Sequence, residues 1–433
     1  MPLSTQPYKG ARDFYPEDKR LQDYLFAVMR KVATKYGYEE YDAPLIEPIE
    51  LYAAKTGDEI VNEQTYAFED RGGRKVAIRP EMTPTVSRMV AAKRQELAYP
   101  LRWYSIPNVW RYERPQRGRL REHWQLNVDL FGIADLTAEH ELISMADALM
   151  QAFRAKRSQY TIRLNSRKLI DSFLHDYLKV DEVQASTLTK LIDRMHKVSH
   201  AEFTAQAEAI LTPSQREQGV GERLLDTLKT DDINELPEEL YKHSSVLELK
   251  RLMHLLHESS IKNVEFDFTL VRGFDYYTDI VFEVFDTNPD NNRSLFGGGR
   301  YDGLVGLFGV EPVPTAGFGM GDVTLANFLE SHELLPSLKS ETDAYIVLVG
   351  DVYDEAQKTI AALREMGLNV AVDASRRKPA AQIKAAVKKA IPYVIFIGER
   401  ELSEDQFNLK NLDTGIEERH SLQRIVSIVK DYR

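Results

Sequence analysis

Four arginines crowd eight residues of this chain: Arg114, Arg117, Arg119 and Arg121 in RPQRGRLR, residues 114–121. Guanidinium forks match the oxygens of phosphate, so this run is suited to a polyphosphate or a nucleic acid. On both sides of it, apolar and polar residues alternate with period two, which predicts strands over 101–113 and 123–131. In such strands Arg111 and Glu113 share one face. Trp124, Leu126, Val128 and Leu130 form an apolar face, with His123, Gln125, Asp129 and Phe131 opposite. A second candidate is Arg272, which falls between predicted strands at 264–270 and 280–285. There it can bridge a carboxylate and a phosphate and so bring two anions together. A third is RPEMT, with Arg79, Glu81 and Thr83 at period two on one strand face, where a carboxylate and a hydroxyl can hold an ammonium group. Pro80 confines that segment to a sheet edge or a strand end. Glycines 297–299 and 303 allow close backbone approach to a ligand. AGFGMGDVTLANFLE, residues 316–330, is neither a Walker loop nor a dinucleotide fingerprint. A solvated hairpin, an edge arginine beside two core tyrosines, and a surface carboxylate would explain these features one at a time. Their coincidence in one chain argues for a site.

Several elements must position these groups. Leu21, Leu25, Met29 and Val32, followed by Gly37, predict an amphipathic helix over 17–36. Leu142, Met145, Leu149 and Phe153 predict another after Asp135 and Thr137. Strands adjacent in sequence, joined by loops too short for a crossover helix, imply an antiparallel α+β sheet. Residues 166–258 show helical stripes and no strand signal, which reads as an insertion between two parts of one domain, 1–165 and 259–330. SHELLPSLKSE, residues 331–341, is a polar link. Beyond it, 342–433 alternates strand and helix in βα units, predicting a small parallel sheet. Length agrees, because 433 residues exceed what one core usually serves. Zero cysteines exclude disulfides, thiolate metal sites and thiol nucleophiles. A net charge of -11 means that any nucleic-acid contact uses local basic patches, such as Arg376, Arg377 and Lys378 with Lys384 and Lys388. Neither a signal peptide nor an apolar run of membrane length is present, so the expectation is a cytoplasmic protein without a membrane partner.

Residues 102–132 resemble the second signature motif of class II aminoacyl-tRNA synthetases, and RYERPQRGR, residues 111–119, is similar to the histidyl-tRNA synthetase family of that class. LVRGFDYYTDIVFEVF, residues 270–285, resembles a signature specific to that family. The resemblance implies a class II catalytic domain with an antiparallel sheet, a helical insertion and a C-terminal α/β anticodon-binding domain. It implies ATP with Mg2+, L-histidine and tRNA(His) as substrates and partners, no protein-borne metal site, and a homodimer through YEEYDAPLIEP, residues 38–48. Residue by residue, it assigns Arg111 to the α-phosphate and the histidine site, Glu113 to the adenine amino group, and Arg119 to the γ-phosphate. His123 stands where the family often stacks an aromatic ring on adenine. Gln125 falls to both substrates and, with Asp129, to the imidazole. Glu81, Met82 and Thr83 fall to the amino group, Arg272 to the carboxylate and α-phosphate, Tyr276 and Tyr277 to the imidazole pocket, and Arg114 and Gln116 to the tRNA acceptor end. The resemblance makes Arg111 and Arg272 the catalytic pair. The chain departs from the family at Val323 and Thr324, where Glu-Arg is usual and the arginine meets the γ-phosphate, so Arg119 is expected to carry that phosphate, with Arg114 or Arg117 in support. The alternative implied by the same fold is a catalytically silent regulatory subunit of ATP phosphoribosyltransferase.

Overall fold

The structure, a computed structural model, describes residues 3–53, 64–272, 276–291 and 293–432. Residues 273–275, inside the segment 270–285, therefore lie outside the described residues. The chain divides into two compact units, Met1–Leu335 and Pro336–Arg433.

The first unit is built on a sheet of nine strands among the described residues. Its order is Glu39–Glu40, Leu101–Ser105, Glu122–Phe131, Thr315–Gly321, Ser294–Arg300, Ile280–Asp286, Tyr160–Ser166 and Val264–Phe266, with Asn108–Trp110 also paired to Glu122–Phe131. All pairings are antiparallel except those at the two edges. One face is apolar for a local reason: in Glu122–Phe131 the alternate residues Leu126, Val128 and Leu130 are all buried in one core cluster. Against them pack Leu25, Met29 and Val32 of the helix Pro16–Lys35 and Leu142, Met145 and Leu149 of the helix Thr137–Ala152. Gly37, at φ +81°, ends the first helix. The Asp135 carboxylate accepts the Thr137 N–H at 2.9 Å and holds the first turn of the second. Helices between Arg167 and Glu258 share this core through Leu188, Leu191, Leu249, Leu252 and Leu256.

Two predicted strands stop early. The one entering the arginine-rich hairpin is split into Leu101–Ser105 and Asn108–Trp110, so Arg111 and Glu113 lie beyond it and not on a strand face. The other, Lys75–Ile78, ends before Pro80, which has no N–H for a ladder. Thr83 opens a helix, Thr83–Ala92, so Arg79, Glu81 and Thr83 do not share a strand face.

The second unit carries a five-stranded sheet, ordered Val370–Val372, Ala344–Val349, Tyr393–Gly398, Phe407–Asn411 and Glu417–His420. The first three are parallel, as the βα pattern predicts, but the last two are antiparallel additions, so the sheet is mixed.

Candidate active site

The other face of the nine-stranded sheet has a floor of glycine. Register places Gly317, Gly319 and Gly321 opposite Asp129, Asn127 and Gln125, and places Gly299 and Gly297 opposite Gly317 and Gly319. At three of these glycines a polar side chain fills the gap. A Cβ at Gly319 would stand 1.7 Å from Gln125 Nε2, one at Gly317 2.4 Å from the Tyr301 hydroxyl, and one at Gly297 2.0 Å from Arg272 Nη1. Side chains of the site itself, and not only a ligand, thus account for glycine here.

Asp129 lies at the centre, 1% exposed. Its carboxylate accepts a short hydrogen bond from the Tyr301 hydroxyl and a 3.4 Å one from Tyr41. Burial outweighs these donors and pushes its pKa up to about 7. Tyr301 packs on Tyr276 and Tyr277, with ring centroids 5.5 and 6.3 Å away. Tyr276 donates to Glu81 Oε2 at 3.1 Å. Glu81, Met82 and Thr83 are all buried at the start of their helix. An unbroken set of contacts therefore runs from Asp129 across the tyrosines to Glu81.

Arg272 adopts φ +56° and lies in the loop before Ile280–Asp286. Three tethers fix that loop: Asn165 Nδ2 donates to the Phe268 and Leu270 carbonyls at 2.9 and 3.0 Å, and Arg167 to the Val271 carbonyl at 3.0 Å. The Arg272 guanidinium pairs with Glu283 at 3.3 Å and lies 5.3 Å from the Tyr277 ring centroid. Its buried Nε meets no acceptor among the described residues.

At the hairpin, Arg111 Nε donates to the Pro80 carbonyl at 2.9 Å, which brings it beside the Glu81 turn. His123 is held neutral, with its pKa pushed down to about 3 by burial and by the positive charges of Arg111 and Arg12. Glu113 pairs with Arg119 at 3.5 Å. Arg114 and Gln116 are exposed near the tip, where Gln116 and Arg119 bond each other's backbone. Arg121, in contrast, is buried and belongs to the packing of the hairpin. Thr324 turns its hydroxyl back to the Leu295 and Gly321 carbonyls, at 2.8 and 3.2 Å. Tyr41 and Tyr301 were not among the residues that the sequence singles out for the site, although both lie inside segments that it does flag.

The family model for histidyl-tRNA synthetase matches residues 10–323, and the anticodon-binding domain model matches 343–432. A histidine–tRNA ligase of Leptospira biflexa is 45% identical over 412 residues, which is 95% of this chain and 94% of that one. This chain belongs to the histidyl-tRNA synthetase family. Among solved structures, a histidyl-tRNA synthetase from Nostoc aligns with a TM-score of 0.82 at 23% identity, covering 100% of both chains. A Bacillus halodurans protein described as an ATP phosphoribosyltransferase regulatory subunit/histidyl-tRNA synthetase aligns at 0.74 and 23% identity, covering 92% of this chain and 99% of that one. At such identities the two alignments speak for the fold alone, so the fold of histidyl-tRNA synthetases does not by itself separate enzyme from regulator. The side chains of the site must do so.

Proposed function

We propose that this chain activates L-histidine with ATP and transfers it to tRNA(His). The observation that carries this is the gathering of Arg272, Asp129 and Gln125 on one glycine floor, with Tyr276 and Glu81 joined to Asp129 through Tyr301 and Arg111 beside the Glu81 turn. Glu81 and Thr83 provide oxygens for the substrate ammonium. Gln125 and Asp129 meet the imidazole, and Arg272 Nε is a donor for the carboxylate. That carboxylate attacks the α-phosphorus of ATP; a P–O bond to pyrophosphate breaks as the acyl–phosphate bond forms. Arg111 and Arg272 stabilise the negative charge that develops on the phosphoryl oxygens. A terminal hydroxyl of tRNA then displaces AMP. No side-chain base is required, because positioning and electrostatics provide the catalysis. Neutral His123 offers a flat ring to adenine without adding charge, and Glu113 can accept from the adenine amino group.

Mg2+ would be held by the phosphate oxygens, since the described residues gather no cluster of three acidic or imidazole groups and this ion keeps most of its water. In this reading Arg114 and Gln116, exposed near the hairpin tip, meet the tRNA end. Exposed Lys384 and Lys388, four apart on one helix, offer the second unit a basic face for RNA. Leu45, Ile46 and Phe68 are each more than 40% exposed in and beside residues 38–48, an apolar edge that a second copy of the chain would cover. No helix among the described residues is long and apolar enough to cross a membrane.

Histidine-dependent exchange of labelled pyrophosphate into ATP tests this reading. Exchange is expected in the native protein and a fall of about 10²–10³-fold in kcat for Arg272→Lys, which cannot keep the forked geometry. A folded protein without exchange would leave the regulatory-subunit reading standing.

A further inference from the structure

We infer that the N-terminal segment 8–14 is a strap that positions the nucleotide pair Arg111 and Glu113, acting through Arg121. The inference rests on the reading above that this pair holds ATP. Of the hairpin's four arginines, Arg121 alone is buried. Its guanidinium lies 3.9 Å from the ring centroid of Tyr112 and 5.6 Å from that of Tyr8. Nη1 donates to the Tyr8 hydroxyl at 3.1 Å, and Nε donates to the Glu113 carbonyl at 3.1 Å. The Arg121 carbonyl in turn accepts the Arg111 N–H at 2.8 Å. One residue therefore fixes the backbone of both members of the pair, just where strand pairing has ended.

The strap holds Arg121 from the other side. The Gly10 carbonyl accepts the N–H of Arg121 at 2.9 Å and of Glu122 at 3.1 Å. Arg12 pairs with Asp322 at 2.7 Å, and the other oxygen of Asp322 accepts the Trp124 N–H at 2.9 Å. Phe14 packs edge-on against Trp124, with centroids 5.2 Å apart. Residues at the start of the chain thus tie the hairpin to the helix Asp322–Ser331. Gly10 makes this possible: it sits at φ +87°, and a Cβ there would come within 2.7 Å of Arg121 Cγ. An exposed hairpin without such an anchor would sample many positions, and an ATP site gains rate only from groups already in place.

The test compares Gly10→Ala, Tyr8→Phe and Glu113→Gln in pyrophosphate exchange, with the Michaelis constants for ATP and for histidine measured separately. Gly10→Ala is expected to raise KM for ATP about tenfold or more and KM for histidine by a clearly smaller factor, because Glu113 meets only the nucleotide and the histidine site keeps Glu81, Gln125, Asp129 and Arg272 besides Arg111. Tyr8→Phe should act in the same direction and more weakly; it removes a single hydroxyl and serves if Gly10→Ala does not fold. Combined with Glu113→Gln, Gly10→Ala should cost less than the product of the two single effects, since both act on one contact. Equal rises in both Michaelis constants, or full additivity, would overturn the strap. So would an unchanged KM for ATP in Gly10→Ala and Tyr8→Phe when Glu113→Gln raises it. If Glu113→Gln itself leaves KM for ATP unchanged, the assignment of the ATP pair fails, and the strap's function fails with it.

Discussion

Asp129→Asn should change how stability depends on pH, by an amount set by the burial of this carboxyl. In the folded protein without substrate the group titrates near 7, against 3.8 for the unperturbed side chain. The folded state therefore binds this proton more tightly than the unfolded chain does. Between about pH 4 and pH 7 each unit of rising pH removes about 1.4 kcal/mol, and above pH 7 the full cost is about 4 kcal/mol. Below about pH 4 the cost is absent, and in Asp129→Asn it is absent at every pH. The protein's three tryptophans, Trp103, Trp110 and Trp124, all lie in the first unit, so fluorescence during denaturant unfolding reports that unit. At one fixed protein concentration, the stability of wild type minus that of the variant should fall by roughly 4 kcal/mol from pH 4 to pH 8. Saturating L-histidine should flatten the fall, because an imidazole N–H donated to Asp129 favours the charged form. Parallel profiles for the two proteins would refute both the burial argument and the pocket built on it.

Gly319→Ala places a methyl where Gln125 Nε2 lies, 1.7 Å away, and should abolish pyrophosphate exchange while lowering the melting temperature; full activity would show that Gln125 can leave the floor freely. Because Thr324 directs its hydroxyl into the backbone, Arg119→Ala should raise KM for ATP by about tenfold or more, the loss of one charge-assisted contact of roughly 1.5–3 kcal/mol. An unchanged KM would show that another group meets the γ-phosphate. Arg300 is fully occupied with structure: it forks onto both oxygens of buried Glu139, at 2.5 and 2.8 Å. Glu139→Ala should cost about 3–5 kcal/mol of stability by stranding a buried cation, and Glu139→Leu combined with Arg300→Met should recover most of it in the same fluorescence assay.

Alternation of side chains is a property of single strands, so the sequence alone determined the two faces of Glu122–Phe131 and with them the partition between Leu126, Val128 and Leu130 and the polar Gln125 and Asp129. The same local rule misplaced 79–83 and 111–113, because a polar residue at every second position looks like a strand whether or not a neighbour exists to complete the ladder. Chain order could not show that Tyr41 and Tyr301, 88 and 172 residues from Asp129, close its carboxyl off from water. Nor could it separate Arg121, locked beneath Tyr8, from Arg114, Arg117 and Arg119, which remain exposed. Those distinctions arise only when strands take up register and glycine meets a side chain across the sheet. What the residues can do was written in their order; which of them meet, and which are left charged, neutral or buried, was decided by packing between segments far apart in the chain.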